Sequence, residues 1–161
     1  MLTQDVLSLA RYLIGLGTES QRPLTNKKLQ KLLYYSQAWS LVLREKSLFD
    51  EQIEAWTHGP VVPSIYHHYK GFGFGFIQDK DKNPFVISVL SKEIREHLDE
   101  VWRVYGKYDA DYLEALTHSE NPWIQARSFL DDQKNSNAII SNESMKAFYS
   151  RFLKDNTNDE E

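Results

Sequence analysis

Apolar side chains recur at helical spacing along most of the chain and alternate over only a few short stretches. The longest helical pattern is Thr25 to Arg44, TNKKLQKLLYYSQAWSLVLR. Thr25 suits its start, because a threonine hydroxyl can accept an otherwise unpaired N–H of the first turn. Leu29, Leu32, Leu33, Trp39 and Leu43 follow at helical spacing, and Leu41 and Val42 fall between them. The C-terminal half is therefore predicted to be apolar nearly all round, and so buried. Fixing a residue's backbone costs about 1–2 kcal/mol, so a helix this long must be held by other parts of the chain.

Those other parts read as shorter helices and a little extended chain. Residues 3–17 form an amphipathic helix, begun by Thr3 or Gln4 and closed by Gly15 and Gly17, with Val6, Leu9, Ala10, Leu13 and Leu16 inward. Ile53–Thr57 alternates as a strand does, and His58-Gly59-Pro60 is a turn signal. Pro63 opens a short helix to Tyr69. The stretch GFGFGFI, 71–77, has glycine at every second position, the wrong spacing for a dinucleotide loop, and is expected to be a loop whose phenylalanines dock on the core. Phe85–Val89 is a second strand candidate, able to pair with 53–57. Ser91 caps a helix over 92–105 with Gly106 beyond it, and Asp109 caps another over 110–117. Asn121 and Pro122 open a helix to about Phe129. Ile139-Ile140 is a short extended piece, and Ser141 caps a last helix over 142–153. The expected fold is mainly α: one compact helical domain, 1–153, around a central helix at about 26–45, with a small β-hairpin or ribbon at about 53–57 and 85–89. Residues 154–161 are expected to be a disordered acidic tail, having no apolar side chain.

Composition narrows the function. At 161 residues a single domain with a real core is expected. The chain has no cysteine, which removes disulfides, thiolate catalysis and Cys-type zinc sites. A net charge of -4 argues against a dedicated nucleic-acid binder, which shows a basic stripe. The start of the chain lacks a basic leader region, and no apolar run approaches the ~20 residues of a membrane span. A cytoplasmic protein is expected. Four Trp, nine Tyr and eight Phe tilt the expectation toward binding rather than catalysis.

Several polar positions are candidates for chemistry. Lys27, Lys28 and Lys31 crowd the start of the central helix, against its dipole. Lys27, Lys31 and Tyr34 lie on one stripe, which reads as a solvated face, as a site for an acidic partner, or as a nucleic-acid contact. Asp111, Glu114 and His118, three and four apart, can share a helix face. They read either as a corner histidine with hydrogen-bonded neighbours or as a general base or metal site. His58 is foremost a turn residue, and Glu93 with His97 reads as a surface pair. Trp56, Pro60, Val61, Tyr66 and Trp123 fit a core and a partner groove equally well.

Four segments taken together carry a resemblance: KLQKLLYYSQAW (28–39), IEAWTHGPVVPSIY (53–66), VYGKYDADYLEALTHSENPW (104–123) and IISNESMKAFY (139–149). In this order they resemble the Panacea domain family of SocA-like antitoxins and phage-associated GepA-type proteins, over about residues 5–153. The resemblance implies a compact, mostly helical domain with a small β element. It implies a type II antitoxin that binds and neutralises a toxin protein encoded nearby, with no enzymatic activity and no cofactor. In the SocA branch it also implies an adaptor that hands the toxin to a Clp-type protease. The toxin's identity and the oligomeric state do not follow. Partner contacts are expected among Lys27, Lys31, Tyr34, Trp56, His58, Pro60, Tyr66, His118 and Trp123. Two alternatives compete: a nucleic-acid-binding regulator using Lys27, Lys28 and Lys31, and a metal-dependent hydrolase built on Asp111, Glu114 and His118.

Overall fold

The computed structural model describes residues 3–78, 89–128 and 135–158. Asp5, rather than Thr3 or Gln4, starts the first helix, α1 (Val6–Glu19). Its carboxylate accepts from the Ser8 amide and hydroxyl, at 3.3 and 2.9 Å. Gly15 and Gly17 stay inside that helix instead of ending it.

Thr25 caps α2 (Asn26–Leu43), accepting from the Lys28 amide at 3.2 Å. This is the central helix, and its burial runs opposite to the expectation. Leu43 is 54% exposed and Trp39 and Val42 are only partly covered, whereas Lys28 to Ala38 is buried without interruption. The physical reason is the number of neighbours. The first half is bonded to the chain around β2, to α3 and to the helix after Asp109, through Gln30 to Val62, Lys31 to Pro60, Asn26 to Tyr66 and Lys27 to Asp111 and Glu114.

Ile53–Trp56 (β1) turns through Thr57-His58 into Gly59–Val61 (β2), with Trp56 opposite Gly59 and Glu54 opposite Val61. Gly59 has φ +111°, a backbone region that favours glycine, and a Cβ there would lie 2.4 Å from Lys31 Cε. The other edge of β1 pairs antiparallel with β3 (Ile139–Ile140), giving the order β2-β1-β3. The strand expected at 85–89 lies outside the described residues as far as 88. The ribbon is built from 53–61 and 139–140 instead, because those two partners fill both edges of β1.

Val62 leads into α3 (Pro63–Tyr69), followed by a single 3₁₀ turn, Lys70–Phe72. The phenylalanines beyond do not dock on the core: Phe74 is fully exposed and Phe76 largely so. Two ties to the chain before α2 hold this stretch in place, a bridge between Thr25 and Phe76 and the Ile77 amide donating to the Leu24 carbonyl at 2.8 Å. They fix the backbone and turn the rings outward.

Ser91 caps α4 (Lys92–Tyr105) and Asp109 caps α5 (Ala110–His118), each through a bond to the third residue onward. Gly106 has ordinary right-handed geometry. It is required by closeness, since a Cβ there would come within 2.5 Å of the Trp102 ring. The next helix, α6 (Asn121–Ala126), is preceded by Glu120 rather than capped by Asn121, and Phe129, its expected end, lies outside the described residues. The last helix, α7 (Asn142–Asn158), runs past Leu153, so the first part of the expected tail is helical. No Gly or Pro interrupts 154–158, and each added residue gains a backbone hydrogen bond. Residues 159–161 lie outside the described residues.

The protein is thus a mainly helical single domain with a small three-stranded antiparallel sheet. α1, α4 and α7 close one side of α2, and β2, α3 and α5 the other. Among the described residues, no helix is long and apolar enough to cross a membrane.

Candidate functional site

Two buried polar regions share α2. The first is closed. Tyr35 donates to Glu120 Oε1 at 2.6 Å and Tyr149 donates to the same oxygen at 3.0 Å. Tyr149 spends its one proton there, so Tyr34 must donate to the Tyr149 oxygen at 2.9 Å. Burial raises the pKa of Glu120 despite both tyrosine bonds, and raises all three tyrosines further. Edge-to-face contacts among Tyr34, Tyr35 and Tyr149 and a stack of Tyr35 on Tyr105 at 4.0 Å complete the cluster. Tyr34, expected at a partner surface, is therefore core. It turns inward because α7 covers that side of α2.

The second region is open. The start of α2, the β1–β2 hairpin, α3, the exposed phenylalanine loop and the start of α5 surround a cavity of about 580 Å³. Asn26 and Gln30, one turn apart, fix its inner wall. Gln30 donates to Asn26 at 2.9 Å and accepts from the Val62 amide at 2.9 Å, and Asn26 donates to the Tyr66 carbonyl at 3.0 Å. The Trp56 ring meets the Tyr66 ring edge to face at 5.0 Å, and both line the space. Trp56 Nε1 is held by Glu54 at 3.0 Å. Phe74 and Phe76 stand at the rim.

The three clustered lysines reach three different ends. Lys27 bridges Asp111 at 3.0 Å and Glu114 at 2.8 Å, and Glu114 also takes His58 Nδ1 at 2.9 Å. Partial burial opposes the charge on Lys27, but its bonds to Glu114 and Asp111 outweigh that and raise its pKa. On Glu114 burial is likewise outweighed, by the bonds from Lys27 and His58, and its pKa falls. Lys28 donates to the Gly106 carbonyl at 2.6 Å and lies over the Trp102 ring, its pKa lowered by burial. Lys31 is 1% exposed, and among the described residues its Nζ reaches one acceptor, the Pro60 carbonyl at 3.3 Å. Burial pushes its pKa down to about 7, against the pull of Glu114. The cations read as one basic face are not one, so the nucleic-acid alternative loses its contact surface.

The other candidates divide the same way. Trp56, His58 and Tyr66 line the cavity, and Pro60 is buried behind it as the acceptor for Lys31. Trp123 is core. Its Nε1 donates to the Trp56 carbonyl at 2.9 Å, and the Arg127 guanidinium lies over its ring while donating to the Ala55 carbonyl. His118 stacks on Trp123 at 3.9 Å instead of facing Asp111 and Glu114, whose carboxylates carry Lys27. The three groups of the hydrolase alternative thus do not converge, because the corner after α5 turns the histidine ring toward α6. Glu93 pairs with Arg44, not His97, which donates to the Ser36 carbonyl at 2.8 Å. Sequence reasoning missed Asn26, Gln30, Phe74 and Phe76. The Asn–Gln spacing of four was visible, but its partners come from α3 and β2, which only folding supplies.

A family model described as Antitoxin SocA-like, Panacea domain, matches residues 29–124. That span contains most of α2, the hairpin, α3 and α5, the elements around the cavity. The chain is also similar to Antitoxin SocA of Caulobacter vibrioides (strain NA1000 / CB15N). The two are 29% identical over 128 residues, covering 74% of this chain and 68% of that protein. No solved structure matches.

Proposed function

Because the chain belongs to the SocA-like antitoxin family with the Panacea domain, we propose that it is the antitoxin of a type II pair, binding and neutralising a toxin protein encoded beside it. The observation that carries this reading is that the family match covers most of the lining of an open, aromatic-rimmed cavity, from Gln30 and Lys31 through the hairpin, α3 and the phenylalanine loop to the start of α5. Concave sites with a few fixed polar groups and exposed aromatic rings are where binding energy concentrates. Trp56, His58, Tyr66 and the Lys27 ion-pair network are the surface such a partner would meet. A non-enzymatic, cytoplasmic role accords with the family. Delivery of the toxin to a Clp-type protease is a finer extension, resting on the kinship with SocA-type antitoxins alone.

The test is co-expression. The product of the adjacent gene should stop growth alone, and this chain should restore growth and co-purify with it. An adjacent product that is harmless, or one that is toxic but never forms a complex, would sink the proposal. For the protease extension, the toxin's half-life in cells should shorten when the chain and a Clp-type protease are both present. An unchanged half-life removes that extension and leaves neutralisation by binding.

A further inference from the structure

Lys31 is the most deeply buried lysine of its cluster, and among the described residues it has neither the ion pairs of Lys27 nor the short carbonyl bond and ring contact of Lys28. An ammonium has three donors. The Pro60 carbonyl, at the long end of hydrogen-bond distance, satisfies one of them. A buried cation without an anion or full hydrogen bonding is costly, so its presence asks for an explanation. The carboxylates nearby do not supply the missing partner. Glu114 is bonded to Lys27 and His58, Asp111 is bonded to Lys27, and Asp109 accepts from the Tyr112 amide as the cap of α5. Burial has already driven Lys31 close to the point of losing its proton. An arriving anion would reverse that and fix the charge.

The space beside it has the matching shape. Lys31 lines the cavity, with Trp56 and Tyr66 on one wall and Phe74 and Phe76 at the mouth. Phe74 is fully exposed to solvent, two residues before Phe76, whose backbone is bridged to Thr25 at the start of α2. A ligand that fits both features carries one negative group and apolar flanks.

We infer that the cavity receives a carboxylate on an apolar segment of the toxin, paired with the Lys31 ammonium and gripped by Trp56, Tyr66, Phe74 and Phe76. This rests on the toxin-binding reading above. Charge-assisted hydrogen bonds of this kind are short and strong when water is excluded, and the aromatic rim would exclude it. Lys27 is already neutralised by Asp111 and Glu114, so Lys31 would be the group that anchors the bound segment.

The experiment compares wild-type chain and Lys31→Met for binding the purified adjacent-gene product by calorimetry, with 3-phenylpropionate and its amide as competitors. Methionine keeps the stem and removes the charge. The variant should remain folded and bind at least 10-fold more weakly, and 3-phenylpropionate should compete where the amide does not. Lys31→Met binding within twofold of wild type, or an amide as effective as the acid, overturns the inference while leaving the antitoxin reading intact. If Lys31→Met does not fold, Phe74→Ser at the exposed rim takes its place. It should weaken the complex at least fivefold, and unchanged affinity overturns the inference equally. A wild-type chain that never binds the adjacent product overturns the antitoxin reading and this inference with it.

Discussion

Lys31 and Tyr35 sit one turn apart on α2, both buried, and meet opposite conditions. Tyr35 donates into a closed cluster in which Glu120 collects the tyrosine protons and aromatic rings seal the sides. Lys31, though 1% exposed, lines an open cavity, and among the described residues it has a single carbonyl in reach. The closed cluster joins α2 to α7 and to the corner before α6, so its polar atoms work for the fold. The open one leaves polar capacity unspent beside a space large enough for a ligand. Burial alone does not distinguish these roles. Completeness of hydrogen bonding does, because a buried polar group is stabilising only when its partners are present.

The largest effect should come from breaking the closed side. Glu120→Ala strands two buried hydroxyl donors, Tyr35 and Tyr149, and should lower stability by about 3–5 kcal/mol. Chemical denaturation measures it, and a loss below about 1 kcal/mol would mean the cluster is not a structural support.

Next is the hairpin turn behind the cavity. Gly59→Ala puts a Cβ at φ +111° and against Lys31 Cε, and should cost about 2–3 kcal/mol. The same denaturation series tests it. A neutral result would show that Lys31 can yield without loss, contrary to its tight packing.

The open side should respond in the opposite sense. Lys31→Met removes a cation that the free protein buries at a penalty, and should raise stability near pH 6 by about 1–3 kcal/mol. The sign with pH follows from the depressed pKa. Between about 7 and 10.5 the unfolded chain holds a proton on Lys31 that the folded chain has released. Wild-type stability should therefore rise across that window, with the penalty full below it, and the variant should lose that rise. Thermal melts from pH 6 to 10 separate the two. A wild type no more pH-dependent than the variant would remove the buried ammonium from the picture.

The smallest effect belongs to Lys27. Its pairs with Asp111 and Glu114 are partly exposed, so Lys27→Ala should cost less than about 1 kcal/mol, and the cost should shrink with added salt. A loss of several kcal/mol would make the ion pairs part of the core rather than of the cavity's rim.

Much of the fold was legible because its signals are local. Thr25, Ser91 and Asp109 cap the helices they were expected to cap, and the turn signal His58-Gly59-Pro60 overlaps the turn between β1 and β2 at His58, while Gly59 and Pro60 already belong to β2. A cap or a turn needs only residues a few positions away, so the chain carries the whole instruction. The pairing partner of β1 was not legible in this way. Its second neighbour, Ile139–Ile140, is distant in sequence, and many short apolar stretches would have fitted the same edge. Nor was the burial of α2. Leu43 looked like core and Lys31 like surface, and the structure reverses them, since burial depends on which elements arrive around a position.

The site shows the same division. Trp56, His58, Tyr66, Lys27 and Lys31 were singled out by residue type, and all five line one cavity. Tyr34 and Trp123, singled out on the same grounds, lie in the core, while Phe74 and Phe76, assigned to the core, stand at the cavity mouth. The sequence by itself determined the helical domain, the caps, the hairpin turn and the family. The tertiary structure alone decided which polar groups are satisfied. Helical periodicity and capping are properties of neighbouring residues, whereas the partner of a buried cation is supplied by chain that folding brings in from elsewhere.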